Sequence, residues 1–232
     1  MKIAIMQPYF FPYIGYFQLI NAVDKFIIFD DVNYIKKGWI NRNRILLQGQ
    51  EYMFTVPLKK ASQNKKINEL EISYELNWRN KLLRTIEIAY RRAPLFNDLF
   101  PLIIEIISVN ENNLSGFLTN SIMKLNAYLN IDTEISKTSD NYVTEKLKGQ
   151  DKILEICRQE KADEYVNPIG GKDLYNKNEF HERGIQLHLL ETDEFKYERC
   201  GQNFIPFLSI IDVMMFNSVN SIKEMLKKYT LL

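Results

Sequence analysis

Two cysteines and two histidines are all that this 232-residue chain offers for thiol or imidazole chemistry. Cys157 and Cys200 have neither metal-pair spacing nor a disulfide-framework pattern, so the fold must rest on its core, as in a reducing cytoplasm. His181 and His188 fall in different expected elements and lack the further ligands that zinc needs. Charge of one sign is missing too. Thirty Lys and Arg against 29 Asp and Glu leave +1, which excludes a broad basic field for nonspecific nucleic-acid binding but not a local basic site. Long apolar runs are also absent. Gln7, Pro8 and Pro12 interrupt the N-terminus before it forms a signal peptide, and the strongest candidate span, 99–109, is short and broken by Pro101 and Glu105. The expectation is a soluble, cytoplasmic chain without a membrane span, long enough to bury a core unaided. The two cysteines differ in setting: Cys157 lies beside Ile153 and Ile156 and reads as core, whereas Cys200 has Lys196 and Arg199 nearby to lower its pKa but no identifiable base.

What is present concentrates in the first 44 residues. An apolar run at 3–6 leads into Gln7-Pro8-Tyr9, Pro12 and Gly15-Tyr16-Phe17; a second at 26–29 ends in Asp30-Asp31; Trp39, Asn41, Arg42, Asn43 and Arg44 follow. This reads as strand, turn, short helix, strand and polar loop, with 3–6 and 26–29 as adjacent parallel strands joined by a helical crossover. Ligands of open α/β sheets sit beyond the carboxyl ends of strands, so Gln7, Asp30, Asp31, Trp39 and Arg42 are expected to share one cleft.

The rest supplies the remaining layers. A hairpin is expected at 45–47 and 52–56 around Gln48-Gly49-Gln50, then a basic loop at 59–66. Residues 77–129 read as helix punctuated by Pro94 and Pro101. Strands at 131–136, 164–167 and 185–190, and helices at 150–160, 209–216 and 221–229, complete an α/β pattern without internal repeats. The fold class is a three-layer Rossmann-like α/β sheet with a helical insertion or subdomain. The expected organisation is a single domain over 1–232, in parts 1–76, 77–130 and 131–232.

The Gln7-Pro8-Tyr9, Pro12, Gly15-Tyr16-Phe17, Asp30-Asp31, Trp39 and Asn41-Arg42-Asn43 pattern resembles the WbqC-like protein family of bacterial surface-polysaccharide and O-antigen gene clusters. Two later blocks, 165–172 and 204–212, extend the resemblance over nearly the whole chain. It implies an N-acyltransferase that moves an aminoacyl group such as glycyl onto a nucleotide-linked amino sugar. An activated donor is then needed: a carrier-protein thioester, an aminoacyl-tRNA, or an adenylate made from ATP. The competing readings are an ATP-dependent, nucleotidyltransferase-like ligase and a non-catalytic nucleotide-sugar binding protein. Gly15-Tyr16 is similar in placement to the nucleotide-binding turn of Rossmann-type nucleotidyltransferases, but the histidines of that turn are absent here.

Each candidate residue has a structural alternative. Asp30 and Asp31 suit a general base, an ammonium site or magnesium ligation, or else turn chemistry. Gln7, Tyr9 and Tyr16 offer polar groups to a sugar or nucleotide, or else pack an aromatic-rich turn. Lys37, Arg42 and Trp39 with Asn41 suit a diphosphate and a stacked ring, or else a charged hairpin edge and a core anchor. Asn167, Gly170, Gly171 and Tyr175 suit a phosphate-facing turn, or else a strand-to-helix bend, since Walker spacing is absent. Ser209 and Asp212 have the spacing of a reciprocal helix cap, and His181 reads as a surface helix residue. No metal site is expected.

Overall fold

The two-residue period of the first strand decides the layering: Ile3 and Ile5 face one side of a sheet and Ala4 the other. The computed structural model describes residues 1–73, 77–144, 146–199, 201 and 203–232. Cys200 therefore lies outside the described residues. In chain order the elements begin with β1 (Lys2–Met6), α1 (Ile14–Asn21), β2 (Lys25–Ile28), β3 (Arg42–Leu47) and β4 (Gln50–Thr55). Three helices follow, α2 (Trp78–Tyr90), α3 (Phe96–Ser108) and α4 (Leu114–Leu129). Next come β5 (Glu134–Ser136), α5 (Gly149–Glu160), β6 (Glu164–Pro168), α6 (Lys177–Glu182) and β7 (Gln186–Thr192). The chain closes with α7 (Ile210–Phe216), α8 (Val219–Met225) and β8 (Tyr229–Leu231).

The six-stranded sheet has the order β5-β2-β1-β6-β7-β8; all its pairs are parallel except β7 with β8. β1 and β2 pair parallel from Ile3 opposite Lys25 to Met6 opposite Ile28, as expected. On one face Ile3, Ile5, Ile27 and Tyr165 pack with Ile153 and Cys157 of α5 and Phe180 of α6. On the other, Ala4, Phe26, Ile28 and Val166 join the core of α1, α4 and α7 through Phe17, Phe117 and Met214. Each such buried side chain contributes roughly 1.5–3 kcal/mol of transfer free energy. This is the expected three-layer α/β arrangement, with α2, α3 and α4 inserted between β4 and β5.

Three expectations change. The expected last helix, 221–229, stops at Met225, and Tyr229 joins residues 230 and 231 in an antiparallel edge strand with Leu231 opposite Leu190 of β7. Pro101 lies inside α3 instead of punctuating it; near the N-terminal turn it removes one backbone donor while Leu99, Ile103, Ile106 and Ile107 anchor the apolar face. Ser209 caps α7 by accepting from the Ile211 amide, but Asp212 does not reciprocate, being bound to residues of another segment. The hairpin forms with Gln48 and Gly49 both at positive φ, +52° and +79°, the backbone of a tight two-residue turn. His181 is exposed on α6, and burial pushes the Cys157 thiol up to about 12, so it is inert packing.

The strand order also fixes where the chain reverses. β1 leads to β2 on one side and β6 leads to β7 on the other, so a topological switch lies between the carboxyl ends of β1 and β6. Gln7 follows the first of these ends, and Asn167, Gly170 and Gly171 lie at or just after the second.

Candidate functional site

The segment from Tyr9 to Tyr13 is bent by force. Phe11 is fully buried with φ +44°, a left-handed backbone that costs a non-glycine residue of order 1–3 kcal/mol. Three groups hold it. The Asn43 side-chain amide donates to the carbonyls of Phe10 (3.2 Å) and Phe11 (2.9 Å), the Ser209 hydroxyl donates to Phe11 O at 2.8 Å, and the Ile210 amide donates to Pro12 O at 2.9 Å. Gly15 completes the shape: a Cβ there would lie 2.3 Å from the Tyr13 ring, so only glycine lets that ring rest against the start of α1. The bend buries Phe10 and Phe11 and turns Tyr9 and Tyr13 toward two adjoining cavities.

The smaller cavity, about 310 Å³, is lined by Tyr9, Tyr13, Trp39, Arg44 and Phe207 among others. Trp39 is 42% exposed and carries the Arg42 and Arg44 guanidinium groups 5.9 and 5.8 Å from its ring centroid. The larger, about 650 Å³, lies between the start of α1 and residues 192–197 and 204–208, with Tyr197, Phe204 and Val213 in its walls. Tyr13 and Phe207 line both and stand edge to face at 5.9 Å. Phe207 is 63% exposed and also left-handed, φ +58°.

A buried charge cluster fixes the wall of the larger cavity. Asp212 of α7, fully buried, accepts four hydrogen bonds: from Tyr90 (2.7 Å), Tyr197 (2.6 Å) and two nitrogens of Arg199 (2.9 and 2.6 Å). Arg199 also donates to Asn203 O at 3.0 Å. Burial opposes the charge on Arg199, but the Asp212 carboxylate outweighs it and holds its pKa above the ordinary arginine value. Burial and then the same carboxylate raise the Tyr197 phenol. Tyr9 is pushed up to about 12 by burial and by Tyr13, so its hydroxyl is a hydrogen-bond donor across the physiological range.

The aspartates lie in a different polar cluster. Asp30 accepts from Ser115 (2.6 Å), Thr138 (2.7 Å) and the Ser139 amide (3.1 Å). Asp31 pairs with Lys152 and accepts from the Ser139 hydroxyl. Both are under 10% exposed, and neither lines the cavity that holds Trp39. The expectation that Gln7, Asp30, Asp31, Trp39 and Arg42 share one cleft is not met by this cavity. Arg42 folds back onto its own loop, donating to Gly38 O at 2.8 Å and to Lys37 O, with Lys37 at φ +61°.

Other candidates divide between structure and access. Asn41 is buried, accepting from Tyr34 (2.8 Å) and donating to Val56 O (2.7 Å). Tyr16 is buried and donates to Gln7 O at 3.0 Å. The side-chain amide of Gln7 is half-exposed and has no hydrogen bond among the described residues. Asn167 is buried, accepting from Tyr165 (3.3 Å) and donating to Pro168 O (3.0 Å). A Cβ on Gly171 would meet the Asn167 amide nitrogen at 2.2 Å, whereas one on Gly170 would meet nothing within 4 Å. Gly171 is thus required by the Asn167 side chain, and Gly170 faces open space. Tyr175 packs edge to face on Tyr165 at 5.7 Å.

Residues 7–224 match the model of the WbqC-like protein family. The chain belongs to the WbqC-like protein family. An uncharacterized protein of Mycobacterium tuberculosis (strain ATCC 25618 / H37Rv) is 32% identical over 222 residues, 93% of each chain. No solved structure matches. The family match spans every residue that lines the two cavities of this WbqC-like protein. Among the described residues no helix is long and apolar enough to cross a membrane, and no cluster of His, Cys, Asp and Glu has the grouping of a metal site.

Sequence reasoning missed Asn43 and Ser209 as the residues that bend the 9–13 segment, and Arg199 and Lys152 as buried counter-charges. The Ser209 signal was present as a helix cap; its second bond, to Phe11, joins positions 198 residues apart and has no local signature.

Proposed function

We propose that this WbqC-like protein is an amino-sugar N-acyltransferase, moving an activated aminoacyl group such as glycyl onto a nucleotide-linked amino sugar for surface-polysaccharide synthesis in the cytoplasm. The observation that carries this reading is the pair of unlike chambers with a common border at Tyr13 and Phe207. A transfer between two substrates needs two sites that meet at the reacting atoms. The smaller chamber suits the acceptor: Trp39 for a base or sugar face, Arg44 for the diphosphate, and the Tyr9 hydroxyl as donor, with Arg42 and Lys37 joining from outside its lining once Arg42 leaves its own loop. Gln7, Asn167, Gly170 and Gly171 at the switch point would position the acceptor further, with Asn41, Tyr16 and Tyr175 holding their surroundings. In the reaction the sugar nitrogen bonds to the aminoacyl carbonyl carbon and the bond from that carbon to the donor's leaving heteroatom breaks. The amine's proton passes to that heteroatom, directly or through a base.

An amine-orienting or base role for Asp30 and Asp31, which line neither chamber, requires the acceptor amine to reach past the border at Tyr13 and Phe207 to their cluster. Since Ser115, Thr138, Ser139 and Lys152 already hold them, that role requires one of these partners to yield to the amine. The same observation favours a second reading, a nucleotide-sugar binding protein in which both aspartates are structural. Coupling of labelled glycine and leucine to a panel of nucleotide amino sugars, with ATP, a carrier thioester or aminoacyl-tRNA as donor, separates these. The expected result is amide product, with Asp30→Asn and Asp31→Asn lowering turnover about a hundredfold in folded protein. Wild-type turnover in both variants would sink their assignment. Release of AMP or pyrophosphate from ATP would make the enzyme a ligase, and sugar binding without product from any donor would favour the binding protein.

A further inference from the structure

We infer that the larger chamber is a binding site for an aminoacyl group with a bulky apolar or aromatic side chain, not for glycyl alone. The inference deepens the acyltransferase reading and rests on it for the word aminoacyl; the binding it requires is measurable without turnover. Three observations carry it. First, a cavity of about 650 Å³ is in the range of sites that enclose a sizeable ligand, whereas glycyl has no side chain to fill it. Its floor and walls include Ile14, Tyr197, Phe204, Ile205, Leu208 and Val213.

Second, the space is built to stay open. The wall from Thr192 to Ser209 crosses the described residues without a helix, yet Asp212 pins it through Tyr197 and Arg199, and Arg199 in turn holds the Asn203 carbonyl. A side chain hydrogen-bonded in this way cannot slump into the cavity without leaving a buried charge unpaired, which costs several kcal/mol. On the opposite side the Tyr13 ring is seated by Gly15.

Third, the polar groups of the chamber come together at positions 192–196, and their charge weakly disfavours phosphate. Asp193, Glu194 and Lys196, all three exposed, line that end with a local balance of −1. Asp193 is partly engaged, accepting from Thr230 at 3.1 Å, but the Glu194 carboxylate has no partner among the described residues. An adenylate or diphosphate would meet a weak, solvent-screened repulsion there, while the α-ammonium of an aminoacyl group would be weakly attracted.

The test is calorimetric titration of the whole protein with phenylalaninamide, leucinamide, glycinamide and N-acetyl-phenylalaninamide. Phenylalaninamide and leucinamide are expected to bind at least about tenfold tighter than glycinamide, since each buried methylene is worth a several-fold gain. The acetylated amide, lacking the ammonium, is expected to bind about two- to fivefold more weakly than phenylalaninamide, and Glu194→Gln to shrink that difference. Ile205→Trp, on a half-buried wall position, should remove the preference for the large side chains while circular dichroism and melting temperature stay as in the parent. Equal affinity for glycinamide and phenylalaninamide, or a preference that survives Ile205→Trp, overturns the inference. Failure here is distinct from failure of the acyltransferase reading. Glycyl transfer by a protein without side-chain preference overturns the inference and leaves the transferase standing, whereas preferential binding without any transfer upholds the site and removes the transferase.

Discussion

Two buried charge clusters in this protein use the same elements to different ends. At the carboxyl end of β2, Asp30 and Asp31 gather Ser115 from α4, Thr138 and Ser139 beyond β5, and Lys152 from α5, so the cluster stitches the helical insertion, the sheet and the opposite layer together. At the start of α7, Asp212 gathers Tyr90, Tyr197 and Arg199, and two of those three partners come from an irregular segment that walls a cavity. Both clusters satisfy their carboxylates. The first joins layers that have other contacts to hold them, and the second holds a wall that has few. Burial and hydrogen bonding of an aspartate therefore do not by themselves say whether it serves the core or a site; what its partners are attached to does.

The sharpest way to break the comparison is to remove one counter-charge from each cluster. Lys152→Ala leaves the Asp31 carboxylate buried and unpaired, and is expected to destabilise the protein by about 3–5 kcal/mol in urea or thermal unfolding. A loss under about 1 kcal/mol would show that Asp31 is reached by water or protonates freely, and would reopen it as an accessible base. Asp212→Asn keeps the shape but removes the charge facing Arg199; about 2 kcal/mol is expected, together with loss of ligand binding in the larger chamber. If unfolding changes but cavity binding does not, the wall is held by something other than this cluster.

Alkaline titration sharpens the same point. Tyr9 titrates near 12 in the folded protein against about 10 unfolded, so the folded state holds the proton more tightly. Its contribution is fully present below about pH 10 and is lost as pH rises through about 12, about 3 kcal/mol in all. Tyr16, Tyr90 and Tyr165 shift in the same direction through burial and add to the slope. Denaturant midpoints measured from pH 9 to 11.5 should fall; a flat profile would mean these phenols are solvated. Tyr197→Phe removes one of the four bonds to Asp212 and is expected to cost about 1 kcal/mol, with weaker binding in the larger chamber as the more sensitive readout.

The sheet was legible because strands announce themselves locally. Ile3–Met6 and Phe26–Ile28 are short apolar runs bounded by polar turns, and the helix between them forces parallel pairing. The last strand was not legible: the helical reading ran through Tyr229 and left 230–231 unassigned, and these residues form an edge strand by pairing with β7. At the site, Tyr9, Trp39 and the arginines around it could be picked out from residue type and clustering. That Asp30 and Asp31 line neither cavity could not, because their carboxylates are taken by Lys152, Ser115 and Ser139, which reach them from 85 to 121 residues away. Asp212 shows the opposite limit. Its spacing from Ser209 reads as a cap, and the preference of its carboxylate for Arg199 is decided by tertiary placement.

The smallest expected effect on stability falls on Trp39, which makes it the cleanest probe of the acceptor chamber. Its ring is 42% exposed and its contacts are with Arg42 and Arg44 at 5.9 and 5.8 Å, both of which have other partners: Arg42 its own loop, Arg44 the Glu51 carboxylate at 2.7 Å. Exposed cation–π contacts contribute roughly 0.5–1 kcal/mol, partly offset by the freedom that truncation restores, so Trp39→Ala should shift unfolding by about 0.5 kcal/mol or less. Binding of a nucleotide-linked sugar should respond far more. Stacking on an aromatic face is worth about 1–3 kcal/mol per base, so at least about a fivefold loss of affinity is expected. Trp39→Phe should recover part of it, because a smaller ring still offers a face. A variant that binds nucleotide sugar as well as the parent would move the acceptor out of this chamber. Equal loss in Trp39→Ala and Trp39→Phe would instead assign the indole N–H, and not the ring face, to recognition.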